Sequence, residues 1–501
     1  MITINREYII MSSKTDTFLK GISITTVFTI AGGILGVVYF AVMSRYLSKA
    51  DFGYFAALTG IMTVISSLAD AGLGAVIIQK KNADEGFIST AFTMSVALGV
   101  TGVLFILLLA PYLARMVADD YLTLPLRIMS VTLLFHSFTS VANAQLYRSL
   151  KFKRIGTIGF ISNIVNTSLS VVLAIKGLGL YAMISYATFG PLLTMIMLYT
   201  TSVKIPRFQI RRDYVKGIFS FGGWLTLSVI CNKIATYIDR LVLPKWTSVE
   251  TLGAYTRPAS FTNNITGALT DIMDRVLFPM LSDIQDNRQA AINVFYRAVE
   301  LLNAFSVILG CVFFFNADLI ITVFFGKEWL ELVPVLQVVS ITSVFFIDTQ
   351  LVDCFFRSLN FVKTGFYIRL FALLWNLFCI YWGAKFGVMG IAISLTFANV
   401  SVIILKMLVL SKKIGASCSV MFIKWLTAWK SAIAPIIMGV AYLLSFNNPT
   451  IGSDIVFAVL FAVVIALELL AFPNMMGKEY INTLYPYVQR LTNKIKKNHN
   501  D

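Results

Sequence analysis

Apolar and polar positions along this chain change over in blocks of helical length. Mostly apolar runs, beginning with 21–47, 52–68 and 87–108 and ending with 455–472, are separated by short polar breaks. An α-helix rises 1.5 Å per residue, so ~20 apolar residues cross the ~30 Å hydrocarbon core of a bilayer. The runs predict about fourteen membrane-spanning helices, starting near residues 21, 52, 87, 127, 156, 179, 217, 251, 294, 334, 365, 388, 427 and 452. The expected fold class is therefore all-α, a polytopic membrane protein. In the tail, Ile481, Leu484, Val488, Leu491 and Ile495 recur at helical spacing with lysines between them, which predicts a helix lying on the membrane surface over 480–497. Pro486 counts against that helix.

Composition narrows what such a chain can do. It is 57% hydrophobic and 13% charged, with a mean hydropathy of +0.79, and the loops are too short to fold as domains, so function must reside in or between the helices. The five cysteines, Cys231, Cys311, Cys354, Cys379 and Cys418, lie in or beside apolar runs without a C-x-x-C pair and read as small buried hydrophobes. The two histidines, His136 and His499, form no H-E-x-x-H motif, and no G-x-S-x-G or P-loop spacing occurs. The chain is accordingly not read as an enzyme, and no cofactor or metal is expected. No cleavable signal peptide is visible, since the first apolar run is too long and lacks a small-x-small site.

The net charge of +16 is explained by topology rather than by nucleic acid. One set of loops is rich in Lys and Arg: Lys14 and Lys20, Lys80 and Lys81, Arg148 to Arg154, Lys204 to Lys216, Arg288 and Arg297, Arg357 and Lys363, Lys412 to Lys424, and the tail from Arg490. The alternate set is thin, with Arg45, Lys49, Arg115, Lys176, Lys245, Lys327 and Lys385. Cytoplasmic loops collect basic residues, so both termini are expected in the cytoplasm.

The chain also resembles itself. Tyr147-Arg148-Ser149-Leu150 closes span four and Phe356-Arg357-Ser358-Leu359 closes span ten, 209 positions later (148 to 357). Pro125 and Pro334 stand at the entrances to the same two spans. Phe52-Gly53-Tyr54 matches Leu252-Gly253-Ala254-Tyr255, and Lys176 with Gly177 and Gly179 matches Lys385 with Gly387 and Gly390. Six spans per repeat is an even number, so the repeats are parallel and related by an axis along the membrane normal. The expected domains are a six-helix lobe over 1–212, a second over 213–414, and two peripheral spans with a basic tail over 415–501. Two such bundles with a path between them is a transporter architecture.

Several stretches carry a family resemblance: Ser44-Arg45-Tyr46-Leu47, Asp51-Phe52-Gly53-Tyr54, Ala69-Asp70-Ala71-Gly72-Leu73-Gly74, Tyr237-Ile238-Asp239-Arg240-Leu241, Thr256-Arg257-Pro258, Arg275-Val276-Leu277-Phe278-Pro279 and Gly326-Lys327-Glu328-Trp329. In these and in its span count, the chain resembles the polysaccharide exporters of the MOP (multidrug, oligosaccharidyl-lipid and polysaccharide exporter) superfamily, notably the Wzx-like and colanic-acid-exporter-like branch. The resemblance implies two lobes around a central cavity in the bacterial inner membrane. It also implies flipping of an undecaprenyl-diphosphate-linked oligosaccharide for O-antigen, capsule or exopolysaccharide synthesis, alongside polysaccharide polymerase machinery.

A diphosphate head group crossing lipid needs positive charge and hydrogen-bond partners, and an intramembrane cation is costly enough to be a functional candidate by default. Lys233 lies about midway along span seven, where Lys233, Tyr237 and Arg240 share one helix face. Arg257, early in span eight, is the second candidate cation for a substrate-binding cavity. The structural alternative for Lys233 is neutralisation by Asp239 or Asp348; for Arg257 it is snorkelling to the interface, beside a proline that shapes the helix start. Asp348, Asp70 and His136 are candidates for ion coupling, and Asn232, Asn263 and Asn264 for contacts to sugar hydroxyls. Asp353 and Arg357, four residues apart, are expected to form a helical ion pair, as are Asp271 and Arg275. Two other readings stay open: a multidrug or cation antiporter of the same superfamily, and a membrane polysaccharide polymerase. Fourteen spans and cavity cations weigh against the first, while short outer loops and the lack of a D-x-D triplet weigh against the second.

Overall fold

Polar caps between the apolar runs set where the helices begin. In the computed structural model, which describes residues 28, 31–70, 73, 74, 77, 84–149, 151–201, 203–445 and 451–471, every regular element is helical. The first unit opens with α1 (Ala31–Tyr46) and α2 (Lys49–Asp70). It continues with α3 (Glu85–Val117), α4 (Thr123–Ser130), α5 (Thr132–Arg148), α6 (Phe152–Ile175), α7 (Leu180–Thr201) and α8 (Arg212–Trp246). Asp84 caps α3 by accepting from Phe87 N at 3.2 Å. The Tyr214 hydroxyl, at the start of α8, also donates to Asp84 at 2.8 Å. That bond, chiefly, holds the Asp84 carboxyl below the usual carboxylate range, so its contribution persists above that range and disappears as pH falls through the lowered value.

The second unit contains most of α9 (Val249–Asp283), then α10 (Arg288–Phe315), α11 (Val333–Ser358), α12 (Val362–Gly383), α13 (Gly387–Ile414), α14 (Cys418–Ala428), α15 (Ile433–Ser445) and α16 (Ile451–Ala471). Packing divides the chain at Thr256/Arg257, so α8 and the first turns of α9 belong to the first unit. The first unit is centred on α3 and α5, with Phe87, Phe92, Ile77 and Val141 buried together. In the second, α10, α11 and α13 bury Phe295, Phe355, Leu351, Met407 and Leu410, and Phe457 and Phe461 of α16 pack onto Val307 and Cys311 of α10.

Among the described residues, nine helical stretches are long and apolar enough to cross a membrane, one of which, Lys363–Ile414, takes in both α12 and α13. Ile451–Leu470 has a mean hydropathy of 2.5, yet only 17% of it is buried. Apolar side chains exposed along entire helices invert the pattern of a water-soluble protein. The chain is a multi-pass membrane protein. The start of the first expected span, the 480–497 tail, and the side chains of Asp70, Asp271 and Arg275 lie outside the described residues. Pro258 falls inside α9 rather than at its start, because the helix already begins at Val249.

The internal repeat is visible as matching local geometry. Ser48 and Asp51 cap α2, with Asp51 N donating to Ser48 Oγ at 3.2 Å, while Thr251 N donates to Ser248 Oγ at 3.1 Å at the start of α9. Gly177 and Gly387, which precede the sixth helix of each repeat, both have positive φ, +80° and +67°. The starts of α2 and α9 lie against each other through Gly53 and Gly253. A Cβ on Gly53 would stand 1.9 Å from the Val249 carbonyl oxygen, and one on Gly253 would stand 2.0 Å from that of Lys49. The contact is reciprocal: the same two repeat positions supply glycine and carbonyl from both sides.

Gly53→Ala and Gly253→Ala should each lower the thermal midpoint of the detergent-purified protein, consistent with an overpacking penalty of about 1–3 kcal/mol. Gly33→Ala, where a Cβ meets nothing within 4 Å, should leave it unchanged. Fluorescence-detected thermal unfolding with equal midpoints for all three variants would contradict the close contact.

Candidate functional site

The α8 face that carries Lys233, Tyr237 and Arg240 looks towards α2. Arg240 Nη1 donates to Thr59 Oγ1 at 3.1 Å, and its guanidinium carbon sits 4.6 Å from the Tyr237 ring centroid. Gly60 of α2 lets the two helices approach, since a Cβ there would lie 3.1 Å from Arg240 Cβ. Nearer the α8 N-terminus, the helices part around a cavity of about 370 Å³. Thr63, Ser66 and Ser67 line it from α2, and Lys233 from α8. The α5 wall contributes Leu133, His136, Ser137, Thr139, Ser140 and Asn143.

The hydroxyls of this wall have a defined polarity. Ser66 donates to Thr63 O at 3.0 Å, Ser67 to Val64 O at 2.7 Å, Ser137 to Leu133 O at 2.8 Å and Thr139 to His136 O at 3.1 Å. Each hydroxyl proton is thus committed to its own helix, and the oxygen lone pairs remain to accept hydrogen bonds. The donors are the Lys233 ammonium and the Asn143 amide, which lines the same cavity. The cavity therefore offers one cationic end and an acceptor-rich wall, a combination suited to a ligand bearing both anionic oxygens and hydroxyl groups.

Two of the residues singled out from sequence, Lys233 and His136, meet in this cavity, and Tyr237 and Arg240 continue from it along α8. Among the described residues no ion pair joins Lys233 to Asp239. The hydroxyl face of α5 is not legible in the sequence, because its serines and threonines lie within an ordinary apolar run. Asn232, Asn263 and Asn264 are exposed.

Arg257 and Asp348 lie in the second unit. Arg257 is 8% exposed, with its guanidinium carbon 5.8 Å from the Phe325 ring centroid. Asp348 is 1% exposed and accepts from Asn303 Nδ2 at 2.7 Å and Trp425 Nε1 at 3.3 Å. One turn from Asn303, Glu300 pairs with Lys424 of α14. The helical Asp353–Arg357 ion pair expected from spacing is replaced by a tertiary one. Asp353 accepts from Lys406 Nζ of α13 at 3.0 Å through both oxygens, with Arg369 of α12 3.9 Å away, and Arg357 Nε donates to the Asp353 backbone oxygen. Lys406 was detectable in sequence as a lone cation in an apolar run; its partner was not, being 53 residues away.

Comparison with known proteins agrees with this architecture. The family described as "Polysaccharide biosynthesis protein" matches residues 42–334, more than half of the chain. The chain belongs to that family. It is 25% identical to an uncharacterized membrane protein in the cps region of Klebsiella pneumoniae, over 78% of this chain and 81% of the relative. It is 24% identical to the lipopolysaccharide biosynthesis protein WzxC of Escherichia coli K12, over 67% of this chain and 68% of the relative. In fold it is similar to the lipid II flippase MurJ in an inward closed conformation, with a TM-score of 0.69 and 16% identity, covering 88% of this chain and 98% of that one. This family member thus shares the all-helical transporter fold.

Lys406 is 5% exposed, so removing its partner leaves a buried charge. Asp353→Ala should destabilise the protein by about 3–5 kcal/mol, and pairing it with Lys406→Met should restore most of the loss. Thermal unfolding of the two variants checks this; a double variant no more stable than Asp353→Ala would show that the ion pair is not the source.

Proposed function

We propose that this chain is a flippase that moves undecaprenyl-diphosphate-linked oligosaccharide units across the bacterial cytoplasmic membrane for surface polysaccharide synthesis, by alternating access and without covalent catalysis. The carrying observation is the Lys233 cavity in a chain of this family: a cation beside an acceptor-rich wall suits a sugar diphosphate. Its volume of about 370 Å³ falls within the ~300–1,000 Å³ range of small-molecule sites, room for the diphosphate and adjoining sugar rather than a whole lipid-linked unit. The lipid tail stays in the bilayer. The cps-region and lipopolysaccharide-biosynthesis relatives favour this substrate class over the cations of a multidrug antiporter.

In this reading the lobes are 1–212 and 213–414, with 415–501 peripheral, fourteen spans and both termini cytoplasmic. The Arg240–Thr59 bond then closes the outer half of the α2–α8 seam, next to the α2–α9 contact at Gly53 and Gly253, while the cavity lies on the seam's inner half, the side from which substrate loads. Lys233 draws in the diphosphate, and the water-poor surroundings strengthen that contact relative to bulk water. Arg240 and Tyr237 extend the cationic face, and Arg257 is the second cation for the substrate. Asp348, Asp70 and His136 are the groups for ion coupling. Handover of the flipped unit to polymerase machinery follows from the same role.

Lys233→Ala should abolish surface polysaccharide at matched membrane levels of protein, Lys233→Arg should keep part of it, and Lys412→Ala should leave it normal. Normal polysaccharide with Lys233→Ala would remove this lysine from the mechanism. For topology, single cysteines in a cysteine-free background should be labelled by an impermeant maleimide from outside at positions 176 and 245, and only from the cytoplasm at 153 and 211. Position 176 reacting only from the cytoplasm overturns the orientation.

A further inference from the structure

The most apolar of the nine long stretches carries a carboxyl group. Glu468 lies in α16, within Ile451–Leu470, whose mean hydropathy is 2.5. It is 3% exposed, and neither carboxyl oxygen has a hydrogen-bond partner. Its neighbours in α16, Ile465 and Leu469, pack against Ala304 and Ile308 of α10 and Ala428 of α14. Other carboxylates of this unit are accommodated differently: buried Asp348 accepts two N–H bonds, buried Glu300 pairs with Lys424, buried Asp454 accepts from Tyr442, and half-buried Asp353 pairs with Lys406.

The titratable groups on the surrounding elements offer no compensation. On α10 they are Cys311, Arg297, the Glu300 already held by Lys424, and, at the far end, Tyr296 and Arg288, which bond to Ser417 and Ile414. Lys430, between α14 and α15, is exposed. Tyr442 of α15 donates to Asp454 at the far end of α16, where Asp318 also lies. Among these groups, only the Cys311 thiol is within electrostatic reach of Glu468, and it is neutral or negative, never cationic. Among the described residues, an ionised carboxylate at this position would in this conformation accept no hydrogen bond and pair with no cation.

We propose that Glu468 is a proton-binding site on the peripheral helix pair. In this conformation it is a neutral acid whose proton is retained because nothing else satisfies the buried group. The proton leaves when α16 parts from α10 and water reaches the carboxyl. The site is separate from the Lys233 cavity and does not depend on the substrate assigned to it.

Two measurements on the full-length protein in lipid test the proposal. Infrared difference spectra of wild type against Glu468→Gln, an isosteric neutral change, should show the loss of a protonated-carboxyl C=O band at neutral pH. Loss of carboxylate bands alone would overturn the proposal. Dicyclohexylcarbodiimide reacts with a protonated carboxyl in an apolar setting: the acid oxygen bonds to the central carbon, the proton passes to nitrogen, and an O-to-N acyl shift fixes the adduct with no leaving group. Peptide mass mapping of the wild type, which needs no variant to fold, should find Glu468 modified at neutral pH. A Glu468 peptide that stays unmodified while other carboxyls react would overturn the assignment.

Discussion

The contact between Gly53 and Gly253 constrains much of the first unit. Two helices that begin at equivalent positions of a sequence repeat meet backbone to backbone, each glycine lying under the other helix's carbonyl. Such an approach is available only where there is no Cβ, and small residues at helix crossings serve the same purpose in membranes generally, where packing rather than water exclusion holds helices together. Because the start of α2 is pinned there, α8 lies alongside it, and the remaining length of α2 decides what α8 faces. Close to the contact this is Thr59, which takes Arg240; farther along it is the cavity with Lys233. The α2–α9 crossing thus lies at one end of an α2–α8 seam that is closed at Thr59 and Arg240 and open at Lys233.

Polar groups inside an apolar solvent require local solutions; hydroxyls bond back to their own helices in both units, and the second unit adds cross-helix charge pairs. In the first unit, serines and threonines bond back to their own helices, which makes a hydroxyl-rich wall compatible with membrane helices and orients lone pairs into the cavity. In the second, charges are paired across helices: Asp353 with Lys406, Glu300 with Lys424, and Asp348 with the N–H groups of Asn303 and Trp425. Lys424 and Trp425 both belong to α14, so buried polar contacts as well as apolar packing hold α14 to the second unit. Glu468 on α16 is outside this scheme, which is why its protonation matters. A neutral acid can be buried in an apolar patch where a carboxylate cannot.

The chemistry that the cavity can offer fits its family. A lipid-linked sugar diphosphate presents two faces, anionic oxygens and neutral hydroxyls, and a transporter must hold both firmly enough to load and weakly enough to release. In the proposed role, one lysine with a wall of acceptors would hold such a ligand less tightly than a dense cluster of cations, since each additional ion–phosphate contact deepens the trap.

The sequence by itself determined the helical membrane class, the repeat, and the face of α8 that carries Lys233, Tyr237 and Arg240. Hydrophobic blocks, matched motifs and helical periodicity are local properties, readable along a single strand of text. Glycines 53 and 253 were legible as repeat partners but not as contacts, because their approach depends on how two helices cross. Tertiary structure alone brought His136 to the cavity of Lys233, replaced the helical Asp353–Arg357 pair with Lys406 from another helix, and left Glu468 without a hydrogen-bond partner among the described residues. Those outcomes depend on which faces of separate helices meet. Spacing along one helix fixes which residues share a face, but the neighbour that face receives is set by packing across the whole unit.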